Sequence, residues 1–463
     1  MTAVGSAVLI TAAPDGRDDW LKRELPASYS EDDHFSQTLP TEDAWWKAFN
    51  DPILDSLIQQ GEQNNFNVLQ AARRIEIARL NIRQARSGYY PNLGISAGWT
   101  KARQSGARVG SNVAASSASY FDLGLTMSWE IDLFGRISTE SKARKALYQA
   151  SRAEYAATMV SLCSEIATDY IQLRIYQAQK AVTLEHKASQ EKIVTIVKAR
   201  DEAGIGNAME VSQQMVVYNS TLALLPSLDT QIQTMINAIT LLVGGDQGSL
   251  QALLSTPRPL PTFDKIVSTG IPMNLLRRRP DVVAAERQLE AYTADLGIAK
   301  KDFLPTLSLQ GSIGTSAHNI KDMFHKNSFD YTIAPTLSWT IFDGLSRNYA
   351  VQSAREQLEA GIDSYNLTVL TAVNEVDNAI TQYANDLRYI RDIENVVIQS
   401  KKSLDYSVDL YKQGLSQFYN VVQAQTSLLN NANTLISARG DALISLIDLY
   451  RALGGGWDEY LNQ

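Results

Sequence analysis

Few residues of this chain have the type and spacing for chemistry. One thiol, Cys163, could act as a nucleophile, and four imidazoles, His34, His186, His318 and His325, could bind a transition metal. A reactive thiol needs a nearby cation or a helix N-terminus to stabilise its thiolate. Cys163 falls inside an uninterrupted helical pattern, so it reads as a small core residue; as the only cysteine it has no disulfide partner within the chain. His318 and His325 are the one close pair, and they lie in a loop with neither cysteine nor clustered carboxylates to complete a coordination shell. No phosphate loop, activated nucleophile or carboxylate dyad stands in a supporting context. The expectation is a protein that is not an enzyme, with no catalytic residue, no cofactor and no metal site. Arg277, Arg278 and Arg279 precede Pro280 and a helix start, and read as a solvated or ion-paired structural cluster rather than part of a transport path. Gly454 to Gly456 reads as a helix stop that needs positive φ.

The elements around these residues are long. Between Arg136 and Ala203 there is neither glycine nor proline, which at 1.5 Å per residue permits a helix of about 100 Å. The matching stretch, Leu345 to Gln413, has only Gly361 as a breaker, and its apolar stripe (Ile362, Tyr365, Val369, Val373, Val376, Ile380, Tyr383, Leu387, Ile390) steps by three and four, as a coiled-coil seam does. Each long helix breaks at Gly204 or Gly414 and returns antiparallel, over 208–243 and 418–453. Pro226 predicts a kink in the first return helix only, because its counterpart is Ile436.

Helix signals also open the chain's ordered part. Asp51-Pro52 is an N-cap followed by a first-turn proline, starting a short helix to about Gln63, and a second helix runs from Asn67 to about Gly88. After Pro91 the period changes from 3.6 to 2. Leu93, Ile95, Ala97 and Trp99 alternate with small polar residues, and Phe121, Leu123, Leu125, Met127 and Trp129 do the same. Strands are expected at about 92–101, 120–130, 306–315 and 331–341, each of the length that crosses a tilted bilayer span. Trp129 and Trp339 sit at the strand ends nearest the helices, where an aromatic ring with one polar edge suits a membrane interface. Four strands cannot close a stable barrel in one chain, so closure requires other copies.

The chain is a tandem duplication. Val68, Ala71, Arg73, Glu76, Ala85, Pro91 and Leu93 recur 214 residues later as Val282, Ala285, Arg287, Glu290, Ala299, Pro305 and Leu307. Thr126, Ser128, Trp129, Ile131, Gly204, Gly244 and Gly245 recur 210 residues later as Thr336, Ser338, Trp339, Ile341, Gly414, Gly454 and Gly455. The difference is absorbed in the Gly/Ser/Ala-rich run Gln104 to Ser119, as befits an exposed loop. This gives an N-terminal extended segment and short helix (1–66), a first repeat (67–245), a linker (246–280), a second repeat (281–455) and a tail (456–463).

Bulk properties restrict the partners. A formal charge of -8 with 20% charged residues offers no basic surface for nucleic acid. No stretch approaches the roughly 20 apolar residues of a spanning helix, which excludes an inner-membrane protein but not a barrel. Ala7 to Ala13, AVLITAA, has the composition of the end of a secretory signal without a basic residue before it, and is a signal or cloning remnant. Asp15 to Pro40 is polar and acidic, as in an extended segment lying over another element.

Several stretches in order carry a resemblance: WWKAFNDPILDSLI (Trp45–Ile58), DLFGR (Asp132–Arg136), LLRRRPDVVAAERQLEA (Leu275–Ala291), FLPTLSLQGSIG (Phe303–Gly314), FDG (Phe342–Gly344) and LYRALGGGW (Leu449–Trp457). Over Trp45 to Trp457 the chain resembles the TolC/OprM-type outer membrane channels. The resemblance implies a mixed fold: a membrane-spanning β-barrel of four strands per chain, closed as twelve in a homotrimer, with a long α-helical barrel and a mixed equatorial region. It implies an outer-membrane exit duct of a tripartite efflux system in a Gram-negative bacterium, with most of the chain in the periplasm. Its partners would be outer-membrane lipid, a periplasmic adaptor and an inner-membrane pump, which would select the substrate. An exit duct for type I protein secretion shares this architecture, and a soluble coiled-coil interaction protein would share the helices but not the strands.

The resemblance also places residues. Close relatives often begin with a lipid-bearing cysteine, whereas no cysteine stands near Met1 here. Relatives tend to carry acidic residues after the helix-tip glycine in both copies; here the positions are Glu210 and Asn420, followed by Gln213 and Gln423, so the acidic lining is halved. These four are the candidate lining of a periplasmic entrance. Asp201 and Glu202 read first as solvated tip residues; with Gly204 and Gly414 they are the candidate adaptor-facing tips, and Leu123, Leu125, Leu307 and Ile333 are candidate lipid-facing barrel residues.

Overall fold

The computed structural model describes residues 20–22, 26, 44–104, 116–246, 248–263 and 278–455. The expectations for Ala7–Ala13, His34, Arg277, most of Asp15–Pro40, the centre of the Gly/Ser/Ala-rich run and the tail 456–463 lie outside the described residues. A 3-10 turn at Trp45–Phe49 leads into α1 (Pro52–Asn64) and α2 (Phe66–Ser87), then β1 (Asn92–Gln104), β2 (Ser116–Ile131), α3 (Arg136–Glu202) and α4 (Ala208–Leu242). The second series is α5 (Pro280–Lys301), β3 (Thr306–Ala317), β4 (Phe329–Ser338), α6 (Ser346–Lys412) and α7 (Phe418–Ala452).

Local chemistry sets these boundaries. Asp51 caps α1, accepting the Ile53 N–H at 2.9 Å, with Pro52 in the first turn. Asp132 caps α3 through both carboxylate oxygens, to the N–H groups of Ile137 and Ser138 at 3.0 and 2.9 Å. The duplication extends to the backbone: φ is +71° at Gly204 and +73° at Gly414, and +66° at Gly244 and +67° at Gly454. A Cβ on Gly244 would fall 2.5 Å from the Asn64 carbonyl oxygen, so both conformation and space require glycine there. Gly361 does not break α6. A Cβ there would lie 2.7 Å from the Tyr292 ring, so this glycine admits a neighbouring helix. Likewise α4 runs through Pro226.

The chain divides into two compact units, and each draws on both repeats. One comprises 1–73, 152–284 and 365–463, the other 74–151 and 285–364. The second unit holds one antiparallel sheet in the order β1-β2-β3-β4. Its register is continuous across the strands: Ile95 opposes Leu125, which opposes Ile313, which opposes Tyr331. Residues directly opposite share a face, so Leu93, Met127 and Ile333 join them, and Thr126, Ser312 and Thr332 fall on the other face. The indole N–H of Trp129 donates to the Tyr89 carbonyl at 3.1 Å, and that of Trp339 to the Phe303 carbonyl at 3.0 Å. Both repeats therefore tie a strand end to the chain just before its helix-ending proline.

In the first unit Trp45 stacks on Tyr450 with centroids 5.5 Å apart, within a core that includes Leu54, Leu57, Ile166 and Leu446. Arg174 is fully buried and donates to the Thr256 carbonyl and the Tyr170 hydroxyl, which in turn donates to Asp51 at 2.6 Å. Arg279 is ion-paired as a structural cluster would be, with Asp281 and Glu375 at 2.7 and 2.6 Å, and it donates to the carbonyl of Ala452 at the end of α7. Gly440 lets α7 approach α3, since its Cβ would sit 2.1 Å from Ile175. Glycine inside a helix costs about 1 kcal/mol relative to alanine, so contact is what it contributes. Gly440→Val is expected to destabilise the unit by about 1–3 kcal/mol through overpacking, measured as a lowered thermal transition; an unchanged transition would mean that Ile175 swings clear.

Candidate functional site

Two surfaces carry the candidate residues. The first is the pair of helix turns. In each, the glycine N–H closes on the residue three before it, Asp201 or Tyr411, and the next N–H, of Ile205 or Leu415, reaches the carbonyl of Arg200 or Leu410. This is the double closure of a helix C-terminus by a left-handed glycine. Asp201 is half-buried, Glu202 is exposed, and Ile205 and Leu415 are 65% and 70% exposed. Met209 and Tyr419, again equivalent, are exposed beside them.

Beyond the first turn Asn207 caps α4, accepting the Glu210 N–H at 3.0 Å, and this places the Glu210 carboxylate at a helix N-terminus, where negative charge is favoured. The Tyr411 hydroxyl donates to that carboxylate at 2.8 Å, and the Arg200 guanidinium lies over the Tyr411 ring, 4.8 Å from its centroid. Burial and the Glu210 hydrogen bond push the Tyr411 phenol up to about 12, so it remains a donor. Glu210 therefore joins the two repeats. Asn420 is exposed and donates to Ser416 at 3.0 Å; Gln213 is half-buried and Gln423 exposed. Deeper in the same seam Gln214 and Gln425 exchange side-chain hydrogen bonds at 3.4 and 3.2 Å. Tyr411 and Arg200 were not among the residues singled out from sequence. The usable signal was Tyr411 three residues before the tip glycine, where the first repeat has Asp201.

The second surface is the apolar face of the sheet. Leu123, Leu125, Leu307 and Ile333 share it; Leu125 and Ile333 are 52% and 71% exposed, and Leu307 is half-buried. The opposite face, exemplified by Thr126, Gln310 and Thr332, is polar or small. Among the described residues β1 and β4 each pair on one side only.

The other candidates are accounted for structurally. Cys163 is buried, and burial pushes its thiol up, the opposite of activation. His318 lies 2.8 Å from the Ser119 carbonyl and His325 3.7 Å from Asp322, and burial lowers His186. Among the described residues no group of three metal-binding side chains converges.

A strand sheet with one apolar and one polar face, joined to paired helices of 67 and 35 residues, defines an outer-membrane channel subunit. The chain belongs to the outer membrane efflux protein family, whose pattern it matches over residues 57–245 and 271–455. It is 30% identical to nodulation protein T of Rhizobium leguminosarum bv. trifolii over 94% of this chain and 92% of that protein. It is also 30% identical to outer membrane protein OprJ of Pseudomonas aeruginosa, over 89% and 86%. The solved outer-membrane channel OprN superposes with a TM-score of 0.87 at 28% identity, covering 93% of this chain and 97% of that one. The chain is thus the outer-membrane exit duct of a tripartite efflux system, not an enzyme, in the outer membrane of a Gram-negative bacterium with its helices in the periplasm.

Tyr411→Phe removes one charge-assisted hydrogen bond, worth about 1.5–3 kcal/mol at most. Amide exchange in the turn around Gly204 is expected to accelerate severalfold, with the Trp45 core unchanged. Identical exchange at the turn would mean that the Glu210 link does not hold it.

Proposed function

We propose that three copies of this chain close one duct, each giving β1–β4 to a twelve-stranded barrel. The observation that supports this is the sheet itself: its apolar face belongs in lipid, yet β1 and β4 have no second neighbour among the described residues. An unpaired strand edge in hydrocarbon costs several kcal/mol per group, so the edges must meet those of other copies. Leu123, Leu125, Leu307 and Ile333 then face outer-membrane lipid, and Thr126, Ser312 and Thr332 face water. At the turns, Asp201, Glu202, Gly204 and Gly414, with the exposed Ile205 and Leu415, present a surface to a periplasmic adaptor. The adaptor joins the duct to an inner-membrane pump, which supplies the energy and chooses the cargo. Glu210, Gln213, Asn420 and Gln423 line the entrance, where one carboxylate per copy favours cations.

Sedimentation in detergent is expected to give a trimer; a stable, folded monomer would rule the assembly out. Leu125→Asp should reduce barrel assembly and surface yield, since charge at a barrel's lipid face costs up to about 2–4 kcal/mol, less for acidic groups. Normal yield would reverse the assignment of faces. In planar bilayers Glu210→Gln should weaken cation preference or block by multivalent cations. Unchanged conductance from an intact trimer would leave the entrance to uncharged side chains.

A further inference from the structure

The two faces of the sheet carry opposite charge. Opposed residues share a face in all three strand pairs, so one face holds the odd-numbered positions of β1–β4 and the other the even-numbered ones. On the even, polar face the charged residues of the described strands are Asp122, Glu130 and Asp330, all acidic. On the odd, apolar face they are Lys101 and Arg103 of β1, both basic. These two are exposed, and neither has an ion pair among the described residues. At the positions that correspond to them in the second repeat stand Thr315 and Ala317.

Their place along the strand is as particular as their face. β1 follows α2, so Asn92 lies next to the helices and Gln104 at the far, exterior end. Just before Lys101 on the same face, Trp99 is 59% exposed and packs on Phe121 with centroids 6.5 Å apart. On β4, Phe329 and Tyr331 pair in the same way at 6.4 Å. Tryptophan and tyrosine collect at headgroup level, and Trp129 marks the helix-side end of the same face. From Phe121 to Trp129 the strand extends about 27 Å, which a tilt of about 40° reduces to about 20 Å, close to the apolar height of a barrel. Going outward along β1 the face is therefore aliphatic at Leu93 and Ile95, aromatic at Trp99, and basic about 7 and 14 Å beyond the ring.

We propose that Lys101 and Arg103 bind the phosphate of a lipid headgroup in the outer leaflet, so that each copy holds an anionic lipid at the exterior end of β1. The inference rests on the reading above that the apolar face meets lipid. A long basic side chain lays its methylenes along apolar surface and extends its charge to the headgroups, where a charge on a barrel's outer face costs little. Phosphate is the complementary group at that level: a guanidinium offers it two parallel N–H donors and an ammonium a compact charge. Charged side chains on an edge strand also deter unwanted pairing, but charge of either sign on either face does that. Here acid and base are sorted between the faces, and β4, the other edge, carries no base.

Trp99 reports on the site. The full chain is placed in mixed vesicles of phosphatidylcholine and phosphatidylglycerol, with one or the other lipid brominated, and Trp99→Phe gives the fluorescence that belongs to the other tryptophans. Quenching of Trp99 should favour brominated phosphatidylglycerol, by on the order of fivefold for each base that engages a headgroup. Lys101→Gln/Arg103→Gln, sedimenting as the unaltered chain does, should lose that preference; each single variant should lose part of it, and Lys101→Arg/Arg103→Lys should keep it. Quenching by neither lipid overturns the lipid-facing reading and this inference together. Equal quenching by both lipids in the unaltered chain, or a preference that survives in the glutamine variant, overturns the phosphate site alone. A preference abolished by excess inorganic phosphate, but not by sodium chloride at the same ionic strength, would give the pair to a free anion and overturn the lipid as its ligand.

Discussion

Unpaired backbone hydrogen-bonding groups have no water to turn to inside a bilayer, and the arrangement of this chain answers to that constraint. Among the described residues β2 and β3 are paired on both sides, β1 and β4 on one. A sheet with Leu93, Leu125, Ile313 and Ile333 on one face cannot remain in water, and with two open edges it cannot enter lipid alone. The proposed trimer, in which each subunit supplies a third of a barrel, resolves both problems, and it also accounts for how little chemistry the chain carries: a wall needs faces and edges rather than a pocket.

The duplication supplies two hairpins on the same backbone plan, and their side chains diverge near the turns. Trp129 and Trp339 have kept the same role, each donating to the carbonyl of the equivalent residue before a proline. The glycines at both turns have kept the same φ. At the seam near those turns the copies have separated: Ile193 and Val197 against Ser403 and Ser407, Glu210 against Asn420, Asp201 against Tyr411. A duplicated fold holds its turn geometry through glycine and its strand ends through tryptophan while the seam residues differ between the copies.

Much of this is legible in the amino-acid sequence alone. Strict alternation from Phe121 to Trp129 fixes which side chains share a face, because the strand period is two, and Gly204 and Gly414 mark the turns because few other residues tolerate their conformation. Other features depend on contacts between residues far apart in sequence. Periodicity could not reveal that Tyr411 would reach Glu210 201 residues away, or that Gly361 admits Tyr292 instead of breaking a helix. The trimmed acidic pattern at Asn420 was visible, but the aromatic and guanidinium that take up Glu210 were not, since neither belongs to a local motif. Nor does linear order show that the compact units interleave the repeats, with 74–151 and 285–364 together in one.

The central claim is that the outer edges of β1 and β4 are paired in the assembled protein. Hydrogen exchange resolved to single amides, on protein folded in detergent or lipid, reads those edges directly. With those edges paired, outward-pointing amides of β1 and β4 exchange as slowly as those of β2 and β3. Rapid exchange confined to the two edge strands, in protein that otherwise remains folded, would contradict it.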